Sequence, residues 1–119
     1  MNPDDRRAQL LDCGLVVFAR LGIGRGSHAE VAREAGVSVA TAFNYFPSRE
    51  HLVDEILGHV DQFLTAMVAE SGRPGQSAPD ALYNLVRAFS DAADTHPDII
   101  RVWLEWSTSI RDDTWPKYL

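Results

Sequence analysis

The chain has 119 residues, which is enough for one or two compact units with a modest shared core. Hydrophobic residues make up 45% and charged residues 24% of it, near the globular average, and this argues against intrinsic disorder. No apolar run approaches the roughly 20 residues of a membrane span, and the acidic residues 1–5 are not a signal peptide. The single cysteine, Cys13, has apolar neighbours that predict a buried thiol, and we expect a protein of the reducing cytoplasm.

The formal net charge of −6 is distributed unevenly along the chain. Residues 1–50 contain six arginines and six acidic residues and are neutral, whereas residues 51–119 contain five basic and eleven acidic residues. Because neutralisation of phosphates by Lys and Arg supplies much of the affinity for nucleic acid, any nucleic-acid contact is expected in the first half. The acidic second half is expected to face away.

Two helices are predicted in the first 36 residues. Apolar residues recur at helical spacing from residue 10 to residue 21, and Gly22 ends this first helix. Ser27, followed three residues later by Glu30, has the spacing of a capping box, which starts a second helix. Gly36 ends the second helix, because glycine accepts the positive φ that turns the chain.

The third predicted helix starts at Ser38, and its apolar residues Val39, Ala42 and Phe43 recur at helical spacing and form its apolar face. The residues left on its outer face are Ala40, Thr41 and Asn44. Residues 38–46 carry no charge, which suits close approach to base edges. Two helices joined by a Gly turn are typical of a helix-turn-helix, whose second helix enters the major groove of DNA.

Three further helices are predicted in the second half of the chain, and no strand pattern is evident. A long amphipathic helix runs from about residue 48 to residue 70, and residues 71–79 form a breaker-rich link. Pro97 opens the sixth helix, which extends to about residue 110, and a final segment begins near Asp112. The apolar residues that mark the fifth helix are Ala81, Leu82, Leu85, Val86, Phe89 and Ala93.

Several short motifs carry a family resemblance. They are Phe18 with Gly22, residues 27–38 (SHAEVAREAGVS), residues 43–46 (FNYF) and residues 48–52 (SREHL). On these motifs the chain resembles the DNA-binding domain of the TetR family of bacterial regulators. The chain also resembles a narrower group within that family, the LuxR/HapR/SmcR-type quorum-sensing master regulators. The segments that carry this resemblance are residues 22–26 (GIGRG), 38–47 (SVATAFNYFP), 102–107 (VWLEWS) and 111–116 (RDDTWP).

The resemblance implies an all-α fold and a division of the chain into two parts. Residues 1–47 are expected to form a three-helix DNA-binding domain, which a long helix joins to residues 48–119, the N-terminal part of a helical ligand-binding and dimerisation domain. The implied partners are double-stranded DNA with a near-palindromic operator and, in the full-length protein, a second copy of the chain. A repressor role is typical of the family.

The chain departs from the narrower group at both ends. Relatives carry a basic arm before the first helix, whereas residues 2–5 here are Asn-Pro-Asp-Asp, so we expect no arm contact with the minor groove unless the true N-terminus lies upstream. At the other end the sequence stops at Leu119, before the helices that pair two subunits in the family. We expect either a fragment or an unusually short protein.

The expected DNA-binding residues fall into two groups. One group faces the major groove: Ser38, Val39, Ala40, Thr41 and Asn44. Asn44 is the main candidate for base recognition, because an amide can pair bidentately with adenine; its alternative role is a helix-end cap. The other group contacts phosphates: Arg25, Ser27, Tyr45, Ser48 and Arg49. Tyr45 is alternatively a core residue with only its hydroxyl exposed.

The second half contains apolar and aromatic side chains of the kind that line a pocket for a small apolar ligand. The residues expected to line it are Phe63, Met67, Phe89 and Trp103, with Trp106 nearby. An aromatic stripe with Met at helical spacing is equally consistent with plain core, and both interpretations stay open.

Enzymatic interpretations find little support. The four histidines show neither i, i+4 pairs nor a Cys partner at metal spacing, and no phosphate-binding loop or nucleophile elbow is present. We therefore predict no catalytic residue, no metal and no cofactor. Two alternatives to a DNA-binding regulator remain: a helical ligand-binding or protein-interaction module without DNA binding, and an enzyme with an unrecognised site.

Overall fold

The computed structural model describes residues 1–108 of the protein, and within that range it contains only α-helices. The six helices, in chain order, are α1 (Pro3–Leu21), α2 (His28–Ala35), α3 (Val39–Tyr45), α4 (Arg49–Ser71), α5 (Ala78–Thr95) and α6 (Pro97–Thr108). This confirms the all-α prediction. The predicted end of the sixth helix near residue 110 and the final segment from Asp112 lie outside the described residues.

The acidic N-terminal residues form the first turn of α1 rather than a segment ahead of it. Asn2 caps the helix, because its side-chain oxygen accepts a hydrogen bond from the backbone N–H of Asp5 at 2.8 Å, and Pro3 takes the first helical position. Asp4 and Asp5 then lie in the first turn, where negative charge interacts favourably with the helix dipole. From the sequence, these residues were expected to lie ahead of the first helix.

One continuous core runs from α1 to α6. A stripe of residues on α1 is buried against α2 and α4, and the same cluster continues through α4 to α6. The fully buried large side chains are Phe18, Phe46, Leu10, Leu52, Ile56, Leu57, Val17, Val31, Val60 and Val102. Because α6 packs directly on α1, the helix-turn-helix region and the second half of the chain share buried side chains.

The second half has a smaller cluster of its own and a partly uncovered helix. Met67, Ala92 and Ile100 are buried where α4, α5 and α6 meet. Of the apolar residues that mark α5, Leu82, Val86 and Ala93 are exposed. In the described part of the chain α5 packs on α4 and α6 from one side only.

Two smaller predictions, one on the link before α5 and one on Cys13 of α1, need correction. The predicted link of residues 71–79 is shorter, because Ser71 ends α4, Ser77 caps α5, and residues 78 and 79 already belong to α5. Cys13 is half-buried rather than fully buried. Burial raises the pKa of its thiol, and the negative charges of Glu34 and Asp12 raise it further.

None of the helices between residues 1 and 108 is long and apolar enough to cross a membrane.

Candidate nucleic-acid interface

The region from Ser27 to Tyr45 has helix-turn-helix geometry. The Ser27 side chain accepts from the backbone N–H of Glu30 at 3.3 Å, which starts α2 as predicted, while the Glu30 carboxylate lies 3.6 Å from Arg33. Gly36 ends α2 with φ 71°, the left-handed conformation that glycine adopts without strain. Ser38 caps α3 by accepting from the N–H of Thr41 at 3.1 Å.

The exposed face of α3 differs in part from the prediction. Four of the five residues expected to face the groove are exposed, namely Ser38, Val39, Ala40 and Asn44. Thr41 is half-buried, and its hydroxyl lies 2.9 Å from that of Ser38. Of the three apolar residues at helical spacing, only Ala42 is buried, whereas Val39 and Phe43 are 44% and 45% exposed. The prediction that Phe43 belongs to the apolar inner face was therefore wrong. A seven-residue helix places one small side chain fully inside the core and leaves the larger apolar ones at its rim.

His28 is a structural residue of this motif that the sequence analysis missed. Its imidazole is 4% exposed, and its Nε2 lies 2.8 Å from the carbonyl oxygen of Phe46. Because a carbonyl oxygen can only accept, the Nε2 carries the proton. The ring also stacks on Phe43, with centroids 3.8 Å apart and planes 4° apart. His28 therefore joins the start of α2 to the end of α3 and fixes the orientation of α3.

The predicted phosphate contacts lie around the N-termini of α2 and α4. Arg25 is exposed in the loop before α2, and Ser27 caps α2. Tyr45 is half-buried against the core, as its alternative role anticipated. Ser48 caps α4 by accepting from the N–H of His51 at 3.2 Å. Arg49 is exposed at the first position of α4.

The Arg49 guanidinium also makes protein contacts. Its Nη2 donates to the carbonyl oxygen of Ile23 and, at 3.3 Å, to that of Gly26. A guanidinium has five N–H donors, so these bonds leave donors for a phosphate. Arg49 thus fastens the loop of residues 22–26 to the start of α4.

Three of the six arginines in the first 50 residues are held in ion pairs. Arg20 lies 3.8 Å from Glu34, and Arg33 pairs with Glu30. Arg7 pairs with Glu55, donates to the carbonyl oxygen of Tyr45 at 3.2 Å, and lies 5.2 Å above the centre of the Phe46 ring. Within residues 1–108, neither Arg25 nor Arg49 has a carboxylate at ion-pair distance. Among the described residues, the two cations expected to contact phosphates therefore have no carboxylate partner.

The four predicted ligand-contact residues are divided between two places. Phe63 and Met67 line a groove of about 440 Å³ between α4 and α5, and the Phe63 ring lies 4.7 Å from that of His96. Phe89 and Trp103 contact each other edge to face, with ring centroids 5.1 Å apart. Both are half-buried at the junction of α5 and α6.

Comparisons with known proteins agree with this geometry. Residues 10–56 match the model of the bacterial regulatory proteins of the tetR family. The chain is 42% identical over all 119 residues to the HTH-type transcriptional regulator LuxR of Vibrio harveyi, of which it covers 58%. It is 31% identical over 108 residues to the HTH-type transcriptional regulator BetI of Cronobacter sakazakii, an alignment that covers 88% of this chain and 54% of BetI.

Comparison of the fold with solved structures agrees with the sequence comparisons. A TetR-like transcriptional regulator from Rhodococcus sp. RHA1 superposes with a TM-score of 0.79 at 22% identity, over 86% of this chain and 56% of that one. The chain spans a little over half the length of the curated relatives described above. The matched segment of residues 10–56 includes the whole helix-turn-helix and the start of α4.

Proposed function

Because the chain belongs to the TetR family of bacterial regulatory proteins and to the LuxR-type group within it, we propose that it is a sequence-specific DNA-binding transcriptional regulator. One observation carries this proposal. The exposed face of α3 has no charged side chain, and it is flanked by Arg25 and Arg49, which have no carboxylate partner among the described residues. An uncharged surface beside unneutralised cations suits base edges flanked by phosphates.

Base recognition is assigned to the outer face of α3. Asn44 is exposed, and no group among residues 1–108 forms a hydrogen bond to its side-chain amide, so both its donor and its acceptor are available to an adenine. The α3 cap is formed without it, since the N–H of Phe46 bonds to the carbonyl of Ala42. The neighbouring groove-facing residues are Ser38, Val39, Ala40 and Thr41.

Phosphate binding is assigned to the two helix starts beside α3. Arg25 and Ser27 contact the backbone from the start of α2, and Ser48 and Arg49 do so from the start of α4. Tyr45 contributes through its hydroxyl while its ring packs on the core. These contacts set the register of α3 on the duplex and carry no sequence preference of their own.

The full-length protein is proposed to act as a homodimer on a near-palindromic operator in the cytoplasm. A single seven-residue recognition helix makes too few contacts for tight specific binding at physiological salt. Two-fold pairing places a second recognition helix one DNA turn away, about 34 Å. In this scheme residues 1–47 are the DNA-binding domain, and residues 48–119 are the first part of the domain that pairs the subunits.

A small apolar ligand is proposed to bind in the second half and to alter DNA affinity. The groove lined by Phe63 and Met67 supports this role, and the Phe89–Trp103 pair at the junction of α5 and α6 is proposed as a second apolar contact. α4 runs from this groove to the DNA-binding domain. Movement of α4 is proposed to transmit ligand binding to the DNA contacts. The fluorescent dye 1-anilinonaphthalene-8-sulfonate serves as the probe: we expect weaker dye binding to Met67→Ala and Trp103→Ala than to the parent. Equal dye binding by all three proteins contradicts this site.

The likeness to LuxR supports a role in quorum-sensing regulation. Transcripts of a host strain with and without the gene, compared at low and high cell density, test this role. We expect a set of transcripts to change with the gene at one density only. An identical effect at both densities contradicts the quorum-sensing role while leaving DNA binding in place.

DNA binding itself is tested by selecting duplexes from a random-sequence pool. We expect enrichment of a two-fold symmetric sequence that the parent binds at least about 1,000-fold more tightly than a scrambled duplex. Ala40→Glu adds bulk and negative charge to the α3 face and should abolish this binding. Ala69→Glu makes the same change at an exposed alanine of α4 and should leave the binding close to that of the parent.

The alternative interpretation, a helical module without DNA binding, predicts a different result. In that case no sequence is enriched even at about 50 mM salt, where phosphate contacts are strongest. Equal effects of Ala40→Glu and Ala69→Glu also contradict the assignment of base recognition to α3.

A further inference from the structure

The loop of residues 22–26, between α1 and α2, is held from two sides by residues far away in sequence. On one side Arg49, at the start of α4, donates to the carbonyl oxygens of Ile23 and Gly26. On the other side Glu105, on α6, accepts from the backbone N–H of Ile23, with Oε1 at 3.1 Å and Oε2 at 2.9 Å. The loop is thus the place where a residue of the second half directly binds the backbone of the DNA-binding domain.

The backbone of the loop is suited to this carboxylate. Gly22 has φ 93°, and a Cβ atom there would lie 3.0 Å from Oε1 of Glu105. Glycine is therefore required twice, by the backbone conformation and by the close approach of the carboxylate. A hydrogen bond from an N–H to an ionised carboxylate is also stronger than one between neutral groups.

The loop has a direct connection to the proposed DNA contacts. It contains Arg25 and leads into Ser27, the cap of α2, and both are assigned to phosphates. A change in the position of α6 relative to α1 moves the Glu105 carboxylate and, with it, the segment that carries these two residues.

From this geometry we infer that Glu105 is a positioning residue for DNA binding. Its carboxylate holds the loop of residues 22–26 so that Arg25 and the start of α2 meet the phosphate backbone, and through it displacements of α6 alter DNA affinity. The inference rests on the proposed DNA-binding function. The contact between Glu105 and the loop connects the two halves independently of the movement assigned to α4.

A purely electrostatic role of Glu105 and a positioning role predict opposite changes in DNA affinity when the side chain is removed. The chain has a net charge of −6, so loss of one carboxylate weakens the repulsion of DNA and by itself tightens binding. Loss of the loop contact weakens binding instead. The sign of the change therefore separates a positioning role from a general electrostatic one.

The experiment compares three variants of the full chain with the parent on the duplex that the parent selects. Glu105→Ala removes the contact and the charge, Glu105→Gln keeps an oxygen that can accept from Ile23, and Asp94→Ala removes one charge from an exposed position on α5. We expect Glu105→Ala to bind about fivefold or more weakly, a typical coupling between two sites. Glu105→Gln should be intermediate, and Asp94→Ala equal to the parent or tighter.

Two further readouts accompany the affinities. The salt dependence of binding should fall in Glu105→Ala by about one phosphate contact, because Arg25 is no longer held in place. Amide hydrogen exchange by NMR should show faster exchange of the Ile23 N–H in Glu105→Ala and unchanged exchange in the cores of α1 and α4. Glu105→Ala binding as tightly as Asp94→Ala, with Ile23 still protected, overturns the inference.

The outcomes also distinguish this inference from the proposed function. If the parent selects no duplex but Ile23 loses protection in Glu105→Ala, the DNA-binding function fails and Glu105 is left as a residue that holds the loop. If Glu105→Ala does not fold, Glu105→Gln keeps the side-chain volume and provides the comparison with Asp94→Ala. Glu105→Gln that binds more tightly than the parent then contradicts the positioning role.

Discussion

At the scale of single residues, the arginines of the first half have distinct tasks despite their identical chemistry. Arg7 is fixed between Glu55, the Tyr45 carbonyl and the Phe46 ring, and it holds the N-terminal part of α1 against the end of α3. Arg49 bonds to loop carbonyls and is still exposed. The formal neutrality of residues 1–50 therefore conceals a local positive surface at Arg25 and Arg49, which is where phosphates are expected.

Arg49 has two separable contributions to DNA binding. Arg49→Ala should weaken binding to all duplexes alike and lower the slope of log K against log salt by about 0.9, the value for one phosphate contact. Arg49→Lys keeps the charge, but its shorter side chain does not reproduce the geometry in which one guanidinium nitrogen donates to both carbonyls. It should therefore keep the slope and lose only part of the affinity. A changed sequence preference with an unchanged slope in Arg49→Ala contradicts the phosphate assignment, and Arg73→Ala, in the exposed loop before α5, is the control.

Cys13 is expected to be an unreactive thiol. Burial and the nearby carboxylates of Glu34 and Asp12 raise its pKa, so at pH 8 the fraction of reactive thiolate is smaller than in an unfolded chain. Alkylation by iodoacetamide at pH 8 should be slower in the folded protein than in the same protein in urea, and the folded rate should rise with pH over a higher range. Equal rates in both states contradict the raised pKa.

At the scale of helices, the local signals in the sequence set most of the boundaries. α2 and α3 begin after the predicted caps Ser27 and Ser38, and α1 and α2 end at the predicted glycines Gly22 and Gly36. Each of these signals acts within about four residues, so it is visible in the sequence alone.

The contacts that orient the helices were not predictable in the same way. His28 to Phe46 spans 18 residues, Arg49 to Ile23 spans 26, and Glu105 to Ile23 spans 82. No periodicity links such residues, because the pairing depends on how the helices pack. The exposure of Phe43 has the same origin, since its partner is the His28 ring at the rim of the core.

The orientation of α3 should depend on His28. His28→Ala leaves the Phe46 carbonyl without its partner inside the protein and removes the stack on Phe43, and the free energy of unfolding should fall by about 1–3 kcal/mol in urea denaturation. Phe43→Ala removes the stack alone from a half-exposed ring and should cost less. Affinity for the selected duplex should fall with His28→Ala. A His28→Ala protein as stable as the parent contradicts this structural role.

At the scale of the whole molecule, the main feature is a core shared by the two proposed parts. Buried residues continue from α1 through α4 to α6, so the DNA-binding domain is not suspended on a flexible linker. The second half contacts the first along α4, through the packing of α6 on α1, and through the hydrogen bonds of Glu105 to the loop of residues 22–26. A rigid connection of this kind allows a ligand or a second subunit to set the spacing of two recognition helices.

The oligomeric state gives a prediction at this scale. The full-length protein should be a dimer by light scattering, both free and on DNA, because one recognition helix makes too few contacts by itself. A longer gene product that stays monomeric both free and on DNA contradicts the dimer and the near-palindromic operator.

The central claim is that α3 reads base edges through Asn44. The most direct test is a double-mutant cycle between Asn44→Ala and single base substitutions across the duplex that the parent selects, with binding free energies measured by anisotropy. The account predicts that the parent discriminates at one A·T position in each half-site by about 1–3 kcal/mol, and that Asn44→Ala loses this discrimination there and nowhere else. The same discrimination by the parent and by Asn44→Ala at every position would contradict it.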